Sequence, residues 1–198
     1  VLAASLRWSG SFQFAFDVDW NKNLRLLTGM NPLGSQYNLE RGGTFTTPAI
    51  LYTYSKQGKG EASRRFHRWA MANAIRDAVK DRPVLLNNWE ATHCDFDEDR
   101  LKQLFDGARQ VGAELFLLDD GWFGNGPYSR DDDKHGLGDW DPSTKKLPKG
   151  LSYIAKEALK RKVGFGIWLE PEMVNPQSEL YQKHPDWIIT QSKREPIL

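Results

Sequence analysis

The sequence predicts an α/β chain with a β-rich N-terminal part, and three observations carry that reading. Phe12, Phe14, Phe16, Val18 and Trp20 alternate with Gln13, Ala15, Asp17 and Asp19, the period-two pattern of a strand with one apolar face. Further on, apolar runs at 84–86, 115–118 and 163–169 show no alternation, which suits strands buried on both faces of a parallel sheet. Segments of helical period lie between those runs, giving about three successive β–α units.

The first strand should turn at Asn21-Lys22-Asn23 and return over residues 24–27 as a hairpin. A second extended run covers residues 44–54, with Pro48 inside it as the mark of an edge or a bulge. Together these look like the end of a sandwich whose other strands precede Val1, so the chain is expected to be a piece of a longer protein. The polar, glycine-bearing stretch at 55–60 is a natural boundary. A helix follows with Ala62, Phe66, Trp69, Ala70 and Asn73 along one stripe. His67 beside that stripe reads as a satisfied structural residue.

After the strand at 84–86, Asp95 or Asp97 can cap the next helix, and Asp95 with Glu98 has capping-box spacing. Its buried face is expected to be Leu101, Leu104, Phe105, Ala108 and Val111, with Gly112 as the stop. Glycines at 112 and 121 bound the run 115–118 and favour a strand there over a buried helix. A long polar loop reaches Pro148. The next helix buries Leu151, Ile154, Ala155, Ala158 and Leu159 and ends on Lys160-Arg161-Lys162, a favourable place for positive charge. The strand at 163–169 and a short helix at 177–183 close the pattern.

Composition narrows the function. A net charge of +1 supplies no excess cation for phosphates, so nucleic acid is not an expected partner. No apolar stretch approaches the roughly 18 residues of a membrane span. The single Cys94 rules out an internal disulfide and a thiolate metal cluster. Eight tryptophans are the unusual feature. Most indoles belong in cores, but those at strand ends can also pack against the C–H face of a sugar while carboxylates take its hydroxyls.

Parallel α/β folds gather their working side chains at the carboxyl ends of strands. Here the three runs end in Asn87-Asn88-Trp89-Glu90, Asp119-Asp120-Gly121-Trp122 and Glu170-Pro171-Glu172. Asp119 and Asp120 give the sharpest signal, with Trp122 as a candidate aromatic plate. Asp before Gly is also common in plain turns. Both carboxylates reach one pocket only if the strand has already ended, since neighbours on a strand point opposite ways. From the residues alone, Asp120 and Glu170 could be the nucleophile and acid of a glycosidase, which needs two carboxyl groups. Asp131-Asp132-Asp133 with His135 lacks the ligand spacing of a calcium loop, and a solvated acidic loop is the better reading; no metal is expected. The glycines at 121, 124 and 126 miss the dinucleotide spacing, and no cofactor is expected.

Six motifs occur in order: Asn88-Trp89-Glu90-Ala91, Leu118-Asp119-Asp120-Gly121-Trp122-Phe123-Gly124, Leu137-Gly138-Asp139-Trp140, Leu147-Pro148-Lys149-Gly150-Leu151, Gly166-Ile167-Trp168-Leu169-Glu170-Pro171-Glu172-Met173-Val174 and His184-Pro185-Asp186-Trp187. Together they closely resemble glycoside hydrolase family 36, the microbial α-galactosidases acting on melibiose and raffinose-type sugars. The resemblance implies an N-terminal β-supersandwich ending at residues 1–57, a connecting helix at 58–81, and an incomplete (β/α)8 TIM barrel at 82–198. It implies that Asp119 and Asp120 bind galactose hydroxyls and that Trp89 and Trp168 line the same pocket, with Glu170 and Glu172 in a supporting role. The family's catalytic aspartates lie on later strands, one in a Lys-Trp-Asp motif that this chain lacks, so the nucleophile and acid/base are expected beyond Leu198. That sets aside the pair Asp120 and Glu170. Residues 130–136 look longer than the family's loop before Leu-Gly-Asp-Trp.

The expected activity is retaining hydrolysis of terminal α-linked galactose by a homo-oligomeric parent acting on oligosaccharides, a tetramer being the form the resemblance implies. The isolated chain is expected to be inactive. The alternatives are an α-N-acetylgalactosaminidase or galactosyltransferase of the same superfamily, or a non-catalytic sugar-binding or degenerate fragment.

Overall fold

A computed structural model describes residues 1–33 and 36–190, and the chain divides into two compact units at Lys80 and Asp81. In the first unit, β1 (Leu2–Leu6) pairs antiparallel with β4 (Ile50–Tyr54), and β2 (Phe12–Val18) with β3 (Leu24–Met30). The β2–β3 hairpin turns where expected. Asp19 accepts from the backbone N–H of Asn23 at 2.8 Å, and Lys22 takes φ 67°. That cap ends β2 at Val18, so Trp20 leaves the alternating pattern and is 91% exposed. The register sets Phe12, Phe14, Phe16 and Val18 opposite Met30, Thr28, Leu26 and Leu24, making one face of the hairpin apolar.

The strand expected over 44–54 is regular only from Ile50. Pro48 supplies no N–H and restricts the residue before it, so the ladder begins beyond it instead of bulging around it. Helix α1 (Gly58–Asn73) buries Ala62 and half-buries Phe66, Trp69 and Ala70; Asn73, expected on that stripe, is exposed and donates to the Trp69 carbonyl at 2.9 Å. His67 shares a hydrogen bond of 3.2 Å with Ser63 Oγ. Residues 74–81 form turns and coil after the helix.

The second unit holds a parallel sheet in the order β5-β6-β7, from Leu85–Asn87, Leu115–Leu118 and Gly164–Ile167. A four-residue helix, α2 (Trp89–Thr92), follows β5 directly and was too short to leave a periodic signal. Helices α3 (Glu98–Gln110) and α4 (Gly150–Lys160) join the sheet in a core that includes Leu101, Phe105 and Ala108 from α3 and Ile154 and Ala158 from α4, together with Phe116 and Leu118. Asp97 is the cap of α3, accepting from Arg100 N at 2.8 Å. No capping box forms between Asp95 and Glu98, because Glu98 instead accepts from the Lys149 N–H at 2.7 Å. Val111 and Leu159, expected in the buried faces, are exposed; Val111 is the residue where α3 stops and Leu159 sits off the edge of the α4 stripe.

The expectation that the sheet is buried on both faces is corrected. Phe116 and Leu118 are fully buried, whereas Leu115, Leu117, Gly164 and Gly166 are only half-buried and Leu85 and Asn87 are exposed. Among the described residues only one face is covered. The chain continues through α5 (Glu179–Lys183), capped by Ser178, to a 3-10 turn at Pro185–Trp187.

Candidate functional site

The three strand ends meet. A hollow of about 480 Å³ in the second unit is lined by Trp89, Asp119, Asp120, Trp168 and Glu170, joined by Arg130, Asp133, Leu137, Met173 and Asn175. All four residues expected at a binding site therefore line one cavity.

Local chemistry explains the convergence. Strand β6 ends at Leu118, and Asn88 Oδ1 accepts the Asp119 N–H at 2.8 Å, tying the end of β6 to that of β5. The Asp119 carboxylate accepts from Asn87 Nδ2 and, at 2.7 Å, from the Asp120 N–H. Asp120 Oδ1 accepts the Gly121 N–H at 2.6 Å. These turn-type bonds release the two side chains from the strand's alternation. Gly121 at φ 96° then reverses the chain.

Asp120 is 5% exposed, and its charge is met by Arg130. The guanidinium donates from Nε to Oδ1 at 2.9 Å and from Nη2 to Oδ2 at 2.6 Å. Burial works against the charged guanidinium, yet the Asp120 carboxylate outweighs it and holds Arg130 above its ordinary pKa. Behind this pair, Lys146 donates to the carbonyls of Gly121 and Arg130 at 2.9 and 2.8 Å and reaches Asp131 at 2.9 Å. Cys94 packs against Gly121 from the far side, and burial, with the Asp120 carboxylate next, pushes its thiol up to about 11.

Several expectations change here. Trp122 does not face the hollow: it is 2% exposed, part of the core, and its indole N–H donates to the Trp168 carbonyl at 2.9 Å. It supports Trp168 from beneath. Glu170 lines the hollow, while Glu172 points into solvent on the turn after Pro171. The acidic stretch 131–133 is exposed, as expected, and its carboxylates are also bonded: Asp131 to Lys146, Asp132 to His135 Nδ1 at 2.7 Å, and Asp133 to Arg130 at 3.5 Å. A second hollow, of about 930 Å³, runs past Thr92, Cys94, Asp95, Arg100, Asp131 and Lys146 on the other side of this network.

Comparison with known proteins decides the family. The Melibiase family model matches residues 44–198. The chain belongs to the melibiase family. Alpha-galactosidase AgaA of Geobacillus stearothermophilus is 42% identical over 191 residues, covering 96% of this chain and 26% of that protein. Alpha-galactosidase 1 of Pediococcus pentosaceus is 41% identical over 194 residues, with 97% and 26% covered. Among solved structures, the α-galactosidase of Lactobacillus brevis superposes with a TM-score of 0.87 at 40% identity, over 99% of this chain and 26% of that one. A variant of AgaA in complex with raffinose gives 0.86 at 40% identity, over 98% and 27%. The chain thus spans about a quarter of the length of the relatives it matches.

Within this melibiase-family chain, sequence reading missed Arg130 and Asn175, and it left Asp133 in a solvated loop away from the hollow it lines. Arg130 stands beside three aspartates, where it looks like local charge balance, and only the fold carries it to Asp120. Asn175 before Pro176 was at most a turn signal.

Proposed function

We propose that this chain is part of a retaining α-galactosidase and builds part of the pocket for terminal α-linked galactose. Asp119 and Asp120 accept hydrogen bonds from sugar hydroxyls, and Trp89 and Trp168 shape the apolar side. The convergence of these four residues on one hollow supports the reading most strongly. Acceptor-only carboxylates beside indoles suit a polyhydroxylated ring with one C–H face.

In this reading residues 1–57 end a β-supersandwich, 58–81 connect, and 82–198 begin a (β/α)8 barrel. The one-sided sheet supports it, because the face left open is the one a barrel turns inward. The nucleophile and acid/base lie outside the chain. Asp120 itself makes a poor nucleophile, since both its oxygens are held by Arg130. Oligosaccharides of the raffinose type are the proposed substrates, raffinose being bound in the AgaA variant, and the parent is proposed to be a homo-oligomer. Hydroxyl binding here positions the anomeric carbon for attack by the distant carboxylate.

The test uses the full-length enzyme carrying these residues. It should hydrolyse an aryl α-galactoside and release the α-anomer of galactose first, seen by NMR. Asp119→Asn should lower kcat/KM by about a hundredfold, because a charged hydrogen bond is exchanged for a neutral one in the transition state as well as the ground state. An inactive enzyme, or an unimpaired variant, would refute the assignment.

A further inference from the structure

We propose that Arg130 and Asn175 are positioning residues that fix the Asp120 carboxylate for its sugar hydroxyl, so that recognition is set by a frame spanning two loops. This rests on reading the hollow as the galactose pocket.

The frame starts at Asn175, on the loop after β7. Its side-chain oxygen accepts from Arg130 Nη1 and from the Leu137 N–H, both at 3.1 Å. Its amide nitrogen donates to the Asp133 carbonyl at 3.1 Å, and its backbone N–H donates to the Leu137 carbonyl at 3.0 Å. One asparagine thereby fastens the loop after β6 to the loop after β7. Arg130 carries that constraint inward. Nη1 also donates to the His135 carbonyl at 3.1 Å, while Nε and Nη2 grip both oxygens of Asp120. The Gly121 N–H closes the carboxylate from the chain's own side at 2.6 Å.

The guanidinium is suited to this task and an ammonium is not. Its donors leave in fixed directions in one plane, two toward the carboxylate and one toward the loop anchors. The side chains of Arg130 and Asp120 are 4% and 8% exposed, so neither can swing into solvent. A buried ion pair often adds little net stability. What this one adds is orientation: the acceptor stands in place before the sugar arrives, and no binding energy goes into ordering it.

The experiment is a double-mutant cycle in the full-length enzyme, read as kcat and KM on an aryl α-galactoside with unfolding midpoints recorded beside them. Arg130→Lys should lower kcat/KM by about a hundredfold, the scale of a misplaced contact. Asn175→Ala should lower it by about tenfold, with KM rising, since Asn175 acts at one remove. In an Asp120→Asn background each change should cost no more than about threefold, because the group being positioned has lost its function. Additive losses, or a lowered unfolding midpoint with unchanged kcat/KM, overturn the positioning role. If Arg130→Lys does not fold, the cycle between Asn175→Ala and Asp120→Asn decides alone. A wild-type enzyme inactive on the galactoside would sink the pocket assignment itself, whereas an active one with additive effects would sink only this inference.

Discussion

Asp131 ties the loop after β6 to a buried cation, and its titration should be visible in the stability of the protein. It bonds Lys146, itself 6% exposed, and Lys145. The Lys146 ammonium holds its carboxyl below the usual carboxylate range. A group depressed in the folded state contributes stability above its unfolded value, and that contribution is lost as pH falls through the folded value. Asp131→Asn should therefore lower the urea midpoint of the full-length protein at pH 6, and the gap from wild type should close as the pH falls through the depressed folded-state value of Asp131. A gap that persists in acid would mean the charge is not the cause. At this scale Asp119 and Asp120 were legible because an apolar run broke off on them. Arg130 was not, because its value lies in a partner ten residues away on a reversed chain. Trp122 was misread for a related reason: composition marks an indole at a strand end but does not say on which side of the turn it lands.

Gly121 is the element on which that reversal depends. At φ 96° an added Cβ would sit 2.8 Å from the Cys94 Cα, a backbone atom that cannot swing aside. Gly121→Ala should cost about 2 kcal/mol or more, from left-handed strain plus the clash, measured by denaturant unfolding of the full-length protein. Trimming Cys94 to alanine should not restore it, since the nearest atom is main chain; full rescue would place the strain elsewhere. Elements with long periodic signals were the legible ones. Helices α3 and α4 lie where apolar spacing put them, and the three parallel strands fall on the unbroken apolar runs. Helix α2, four residues long, carries no period to read. The late start of β4 follows from one proline acting through a missing donor and a restricted neighbour. Strand propensity over 44–54 masks both effects.

For the whole molecule, the fold class and the order of its parts were written in the switch from period two to alternating runs. Which faces are covered was not, because periodicity reports what a strand can bury and not what stands opposite. The hairpin leaves Phe16, Val18 and Leu24 exposed, and the parallel sheet leaves Leu85 exposed. Strands β5 and β7 are the outer strands of their sheet. Made alone, the 198 residues should form polydisperse aggregates and bind an apolar dye, as measured by light scattering and dye fluorescence, while the full-length protein should scatter as one defined species and leave the dye dark. A monodisperse, dye-free chain would show that these faces are closed in some other way.

The hollow sets Asp119, Asp120, Asp133 and Glu170 against a single guanidinium. Uncharged sugars pass such a mouth without electrostatic cost. A uronic acid or a sulfated galactose would meet like charge on entry, and among the described residues of the hollow the one cation, Arg130, is already paired with Asp120. In the proposed pocket, this part of the wall would turn acidic glycans away by repulsion, before any hydroxyl is read.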